Sequence, residues 1–352
     1  MTPSCRWARV SHWPGALPTE LTPAPRRWCA PGFAPFRQRL AELEPLSGSD
    51  RLDALNAAAR QAGLVSGSGR ALRFVAQPPA SVSGGEPSSS QALSASPATA
   101  FASGYEARIF DSGEVPTRIN GQGERHDLCN AIVWLTFPRA KARLNALQAD
   151  RQRSSPERQA LNRPRPPSEL DRPSDSNEGR FTQAAERASS QRGPLRDAAT
   201  LFDENAALWI GLDASLEAAL RAFDWQSLFV RRRAQLCESV RLTVFGHALL
   251  EKLESPYKAV TAHAWPLRLS VDASIAEIDR ALSLALDADS LSTRALCPLP
   301  VMGFPGWCAA NADPHFYDDP AVFRSGRRGG KLPPDSRGGK LPPDSVAPGS
   351  SR

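Results

Sequence analysis

The chain has 352 residues, 41% of them apolar and 23% charged, which is enough apolar material to bury a core and excludes a chain disordered throughout. Its formal charge is +6, but residues 1–39 and 324–352 carry +5 each, leaving −4 on the stretch between them. A nucleic-acid binder carries its basic face on its folded part. This distribution therefore removes most of the case for nucleic-acid recognition and leaves weak, salt-sensitive contacts through the basic tails.

Six cysteines stand at 5, 29, 129, 237, 297 and 308, with no C-x-x-C pair. That spacing predicts reduced thiols in a cytoplasmic protein. Arg6 and Arg9 are followed by no apolar region, which argues against a signal peptide. No apolar run approaches the ~20 residues of a membrane helix.

In chain order, residues 1–32 read as an irregular leader rich in Pro, Trp and Arg. Phe33, Phe36, Leu40 and Leu43 share a helical face. Leu52, Leu55 and Ala59 line a second helix, with Asp50 as its cap and Gly63 as its stop. Arg73-Phe74-Val75 is a short strand, and the Ser/Pro/Gly-rich stretch 76–104 is a linker-like insertion. The alternation from Tyr105 to Phe110, the turn Asp111-Ser112-Gly113 and the run Glu114–Ile119 predict a β-hairpin. Leu128, Ala131, Ile132 and Leu135 form a helical stripe, and Pro138 opens the next helix, with Ala140, Leu144 and Leu147 as its apolar face.

Residues 150–192 read as a second insertion, rich in Arg and Pro up to Arg180. Structure resumes near Leu201. Asp213, Asp224 and Asp272 cap later helices. Val240–Glu254 is apolar nearly all round and is expected to be the central buried helix. Cys297–Arg324 combines Pro with aromatics and reads as an ordered wrap without repeating structure. Residues 325–352 are a disordered tail containing RGGKLPPDS twice in succession. A nine-residue unit with one apolar side chain builds no solenoid core. The expected architecture is mainly α: a single helical domain over 33–324 with one small hairpin, interrupted by the two insertions.

No nucleophile elbow, P-loop, dinucleotide fingerprint or paired-cysteine metal site is present. The candidates are rare polar groups in apolar surroundings. His126-Asp127 opens the 128–135 helix, and His247 has Glu251 one turn on. These four are the candidate catalytic residues, since His with a carboxylate can move a proton or ligate a metal. Asp203-Glu204, beside Leu208 and Trp209, is the candidate divalent-metal pair. Each group can instead be a helix cap or a core pair, as expected of a non-enzymatic binding or scaffold protein. Arg139 and Lys141 can hold an anion or form the wet side of their helix. The sequence names no cofactor and no partner.

Several strings taken together resemble a known family: YEARIFDSGEVPTR (105–118), HDLCNAIVWLTFPRAKARLNAL (126–147), RGPLRDAATLFDENAALW (192–209), FGHALLEKLESPYKAVTAHAW (245–265) and PLPVMGFPGWCAANADPHFYDDPAVFR (298–324). They resemble the bacterial family catalogued only as domain of unknown function 3025. That pattern has Trp before the His and Phe two residues after the Asp, where this chain has Arg125 and Cys129. The resemblance implies one intracellular domain and supplies no activity, so a hydrolase-like or metal-assisted site is an expectation from the residues alone.

Overall fold

The computed structural model describes residues 31–77, 97–153 and 194–325. Nearly all of the leader, most of both insertions and the repeat tail lie outside these residues.

The architecture is mixed α/β, which corrects the mainly α expectation. A four-stranded sheet in the order β4-β3-β5-β6 forms its centre, from β3 (Ala206–Ile210), β4 (Arg241–Val244), β5 (Thr261–Leu267) and β6 (Cys297–Pro300). β3 pairs antiparallel with β4 and parallel with β5, and β5 pairs antiparallel with β6. All five residues of β3 are buried, as befits a strand with neighbours on both sides. Pro266 is tolerated in β5 because the ladder to β6 covers only Thr261–Ala264.

The expected hairpin does not form. Tyr105–Phe110 belongs to a helix, α3 (Pro97–Ser112), that begins inside the expected linker. Gly113 at φ 73 turns the chain into β2 (Glu114–Thr117), which pairs in parallel with the distant β1 (Arg73–Ala76). Six alternating residues fit a strand or a short piece of helix equally well, and here the upstream turns decide. The expected central helix over 240–254 is divided too. Its first part is β4, and only α9 (His247–Lys252) is helical.

Other expectations hold. Phe33, Phe36, Leu40 and Leu43 are all buried, the last two on α1 (Arg37–Leu43). α2 (Gly48–Ala62) stops at Gly63, whose φ of 60 suits a left-handed cap, although no side chain caps its start. α4 (Glu124–Thr136) is followed at Pro138 by α5 (Pro138–Arg153). α6 (Pro194–Asn205) runs directly into β3. Asp213 caps α7 (Ala214–Arg221), accepting from the backbone of Ser215 and Leu216. α8 (Arg233–Ser239) precedes β4. α10 (Ile275–Ala285) is capped by Ser274 in a box with Glu277 rather than by Asp272.

Aromatic side chains fasten both sheet faces. On one, Trp265 meets Phe202 of α6, and Phe202, Phe245, Phe137 and Phe36 continue as a chain of ring contacts toward α1. On the other, Trp209 packs edge-on to Phe304 in the expected C-terminal wrap, whose Tyr317 and Phe323 cluster with Phe229 from an earlier helical turn. Cys129, Cys297 and Cys308 are free thiols, but Cys237 is disulfide-bonded, against the expectation of six reduced cysteines. Sequence spacing does not reveal pairings between distant cysteines.

Candidate functional site: a histidine pair backed by carboxylates

Four helix ends meet beside the sheet. His126 stands in the first turn of α4, His247 opens α9, Asp203 and Glu204 close α6, and Lys141 lies in the first turn of α5. Gly246 makes this meeting possible. A Cβ there would lie 2.5 Å from the backbone of Glu204 and Asn205, so the turn into α9 can approach the end of α6 only without a side chain. The Phe245 and Gly246 N–H groups both donate to the Ala206 carbonyl, locking that approach.

The two imidazoles face each other with their Nε2 atoms 3.0 Å apart. Each turns its other nitrogen toward a carboxylate. His126 Nδ1 is 2.9 Å from Glu251 Oε2, and His247 Nδ1 is 3.5 Å from Asp203 Oδ2. Glu204 Oε1 lies 3.6 Å from His247 Nε2. His126, Glu204 and His247 each offer a ligand atom, all within 4.8 Å of one another. The i,i+4 pair expected between His247 and Glu251 is absent among the described contacts; Glu251 reaches across to His126 instead.

Proton accounting makes this contact unusual. A neutral imidazole that donates from Nδ1 presents a bare lone pair at Nε2. Two such lone pairs at 3.0 Å repel unless a proton or a metal ion lies between them. The buried His247 Nδ1 has no formed hydrogen bond. Burial pushes the His247 pKa down to about 3, with Lys141 and His126 adding to the effect, so this ring is neutral at physiological pH. Burial and the neighbouring Asp203 raise Glu204 above its ordinary value. Burial also works to raise Asp203, but the buried Lys141 ammonium outweighs it and holds that carboxyl below its usual range.

Sequence reasoning missed the layer behind the pair. Lys141 is buried; its Nζ donates to Asp203 Oδ1 and, at 3.0 Å, to Asn130 Oδ1. Asn130 Nδ2 in turn donates to the Tyr105 hydroxyl at 3.0 Å. Glu106 accepts from Asn145 at 2.7 Å, and burial, with Asp203 nearby, pushes its carboxyl up to about 7. Lys141, Asn145 and Gln148 are all buried and recur at helical spacing beside Ala140, Leu144 and Leu147. That polar stripe was the available signal.

Asp127 does not join the cluster. Its carboxylate is a fork for Arg118, accepting from the backbone N–H, Nε and Nη2 at 2.6–2.8 Å. Arg125 pairs with Glu254 and Glu44. Arg139 offers its backbone N–H to Asp279 at 3.1 Å.

A family model described as "Protein of unknown function (DUF3025)" matches residues 93–165 and 176–327, more than half of the chain. This protein belongs to that family. The matched residues include all five members of the His126–Asp203–Glu204–His247–Glu251 cluster, and the family's own break, at 166–175, falls inside the expected second insertion. No curated protein and no solved structure matches the chain. Among the described residues no helix is long and apolar enough to cross a membrane.

Proposed function

We propose that this DUF3025 protein is a metal-dependent enzyme of the hydrolase type, with one divalent transition-metal ion held by His126 Nε2, His247 Nε2 and Glu204. One observation carries this reading: two Nε2 atoms converge at 3.0 Å while both Nδ1 atoms turn to carboxylates. Two nitrogens bound to one tetrahedral zinc at ~2.0–2.1 Å are about 3.3 Å apart, close to the separation seen. Carboxylates behind the Nδ1 atoms are the usual means of fixing the tautomer and orientation of metal-ligating histidines.

The local charge supports the same reading. Asp203, Glu204 and Glu251 surround the imidazoles, and Lys141 is the cation buried among them. A divalent ion relieves that excess of negative charge. Two histidines and one carboxylate leave a position open, the pattern of catalytic rather than structural zinc. When bound, the ion supplies an electrophile and an acidified water. Glu251 and Asp203 then orient the histidines, and Asp127 serves only to hold Arg118.

Metal analysis of protein purified without chelators tests this. One equivalent of zinc or another transition metal per chain is expected in the wild type, and much less in Glu204→Gln. A folded wild type that takes up no metal, even after incubation with zinc, contradicts the proposal.

A further inference from the structure

Asp203 divides its two oxygens between two groups. Oδ1 accepts from Lys141 Nζ, and Oδ2 faces Nδ1 of His247 at 3.5 Å. Lys141 is only 3% exposed, and its ammonium is confined from three sides: by Asp203, by Asn130 Oδ1 at 3.0 Å, and by the Trp134 ring, whose centroid is 5.3 Å away. Burying such a pair is a poor way to gain stability, because the desolvation of both ions offsets most of their attraction. Its position next to the histidine pair calls for another reason.

We propose that Lys141 is a positioning residue for the metal centre: it anchors Asp203 so that this carboxylate takes the Nδ1 proton of His247 and leaves Nε2 bare toward the ion. The inference rests on the metal reading above. Because Lys141 occupies Oδ1, Asp203 stays behind His247 instead of swinging in as a ligand. Asn130 completes the anchor. Its amide oxygen takes the ammonium, and its NH2 group is oriented by the Tyr105 hydroxyl, so helices α3, α4 and α5 all bear on the placement of one carboxylate. Glu251 has the same task on the exposed side of the pair, for His126.

The experiment measures zinc affinity by chelator competition in the wild type, Lys141→Met, Asp203→Asn and the double variant. Lys141→Met is expected to bind zinc about 10- to 100-fold more weakly, the usual cost of losing such a support. Asp203→Asn is expected to lose a similar amount, and the double variant little more than either, since Lys141 acts through Asp203. A merely structural lysine would lower the melting temperature and leave the affinity of the folded protein unchanged. A second arm does not depend on metal. Long-range proton–nitrogen spectra of the metal-free protein read the His247 tautomer, expected as Nδ1–H in the wild type and mixed in Lys141→Met. Unchanged zinc affinity in a folded Lys141→Met, or a wild-type His247 without a proton on Nδ1, overturns the proposal. If the wild type takes up no zinc, the metal reading fails and the tautomer arm alone decides the role of Lys141.

Discussion

His126 takes its carboxylate partner from α9 rather than from its own helix: Nδ1 meets Glu251 Oε2 at 2.9 Å, across 125 positions of sequence. Glu251 sits one turn beyond His247, so a single short helix supplies one imidazole and the support of the other. The placement of α9 therefore controls both histidines at once.

That makes Gly246 the first position to test. A methyl group there would sit 2.5–2.6 Å from three backbone atoms around Glu204–Ala206, and none of these is a flexible side chain. Its φ of −63 is ordinary, so the objection to alanine is steric alone. Gly246→Ala is expected to cost about 3 kcal/mol by urea unfolding, at the upper end of overpacking, and to weaken zinc binding in whatever remains folded. A variant as stable as the wild type would show that α9 can move away from α6.

Glu106 provides a pH signature. Burial raises its folded pKa from 4.5 to about 7, so between those values the folded state holds a proton that the unfolded state has released. By linkage its contribution to stability falls as pH rises through that window. Glu106→Gln keeps an acceptor for Asn145 and cannot ionise. It is expected to raise the melting temperature of the metal-free protein at pH 8 and to leave it nearly unchanged near pH 4. Equal melting curves at pH 8 would contradict this.

His247 separates a support for the fold from a part of a site. Asp203 is already anchored by Lys141, so removing the imidazole does not strand a buried carboxylate. Metal-free His247→Leu is expected to lose no more than about 1 kcal/mol against the metal-free wild type, because the ring gives up only its contact with His126 and a 3.5 Å approach to Asp203 that is too long for a formed hydrogen bond, while an apolar side chain takes its buried place. A loss of more than about 2 kcal/mol, the scale of a broken buried network, would make His247 a structural residue.

The chemistry of this chain was easier to read from its sequence than its strands. His126, Asp203, Glu204, His247 and Glu251 stood out because polar groups in apolar stretches need partners, and the fold brings them together. Asp127 carried the same signal and serves Arg118 instead, since neighbours on a helix diverge by about 100°. The run from Val240 to Glu254 hid β4, because a continuous apolar stretch suits a buried strand as well as a buried helix. Gly246 was the only punctuation within it, and its meaning lies in a contact with Ala206, forty residues earlier in the chain. β5 was masked by Pro266, which lies beyond the ladder to β6. Lys141 read as an anion holder or as the wet side of its helix, and its burial depends on Asp203 arriving from α6.

X-ray absorption at the zinc edge, measured on protein loaded with one equivalent of zinc, tests the ligand set most directly. A first shell of nitrogen and oxygen only is expected, at ~2.0–2.2 Å, with the outer-shell scattering of two imidazoles. That scattering should fall to one imidazole in His126→Ala and in His247→Ala. A shell containing sulfur, or one without imidazole scattering, would contradict a centre built on His126, His247 and Glu204.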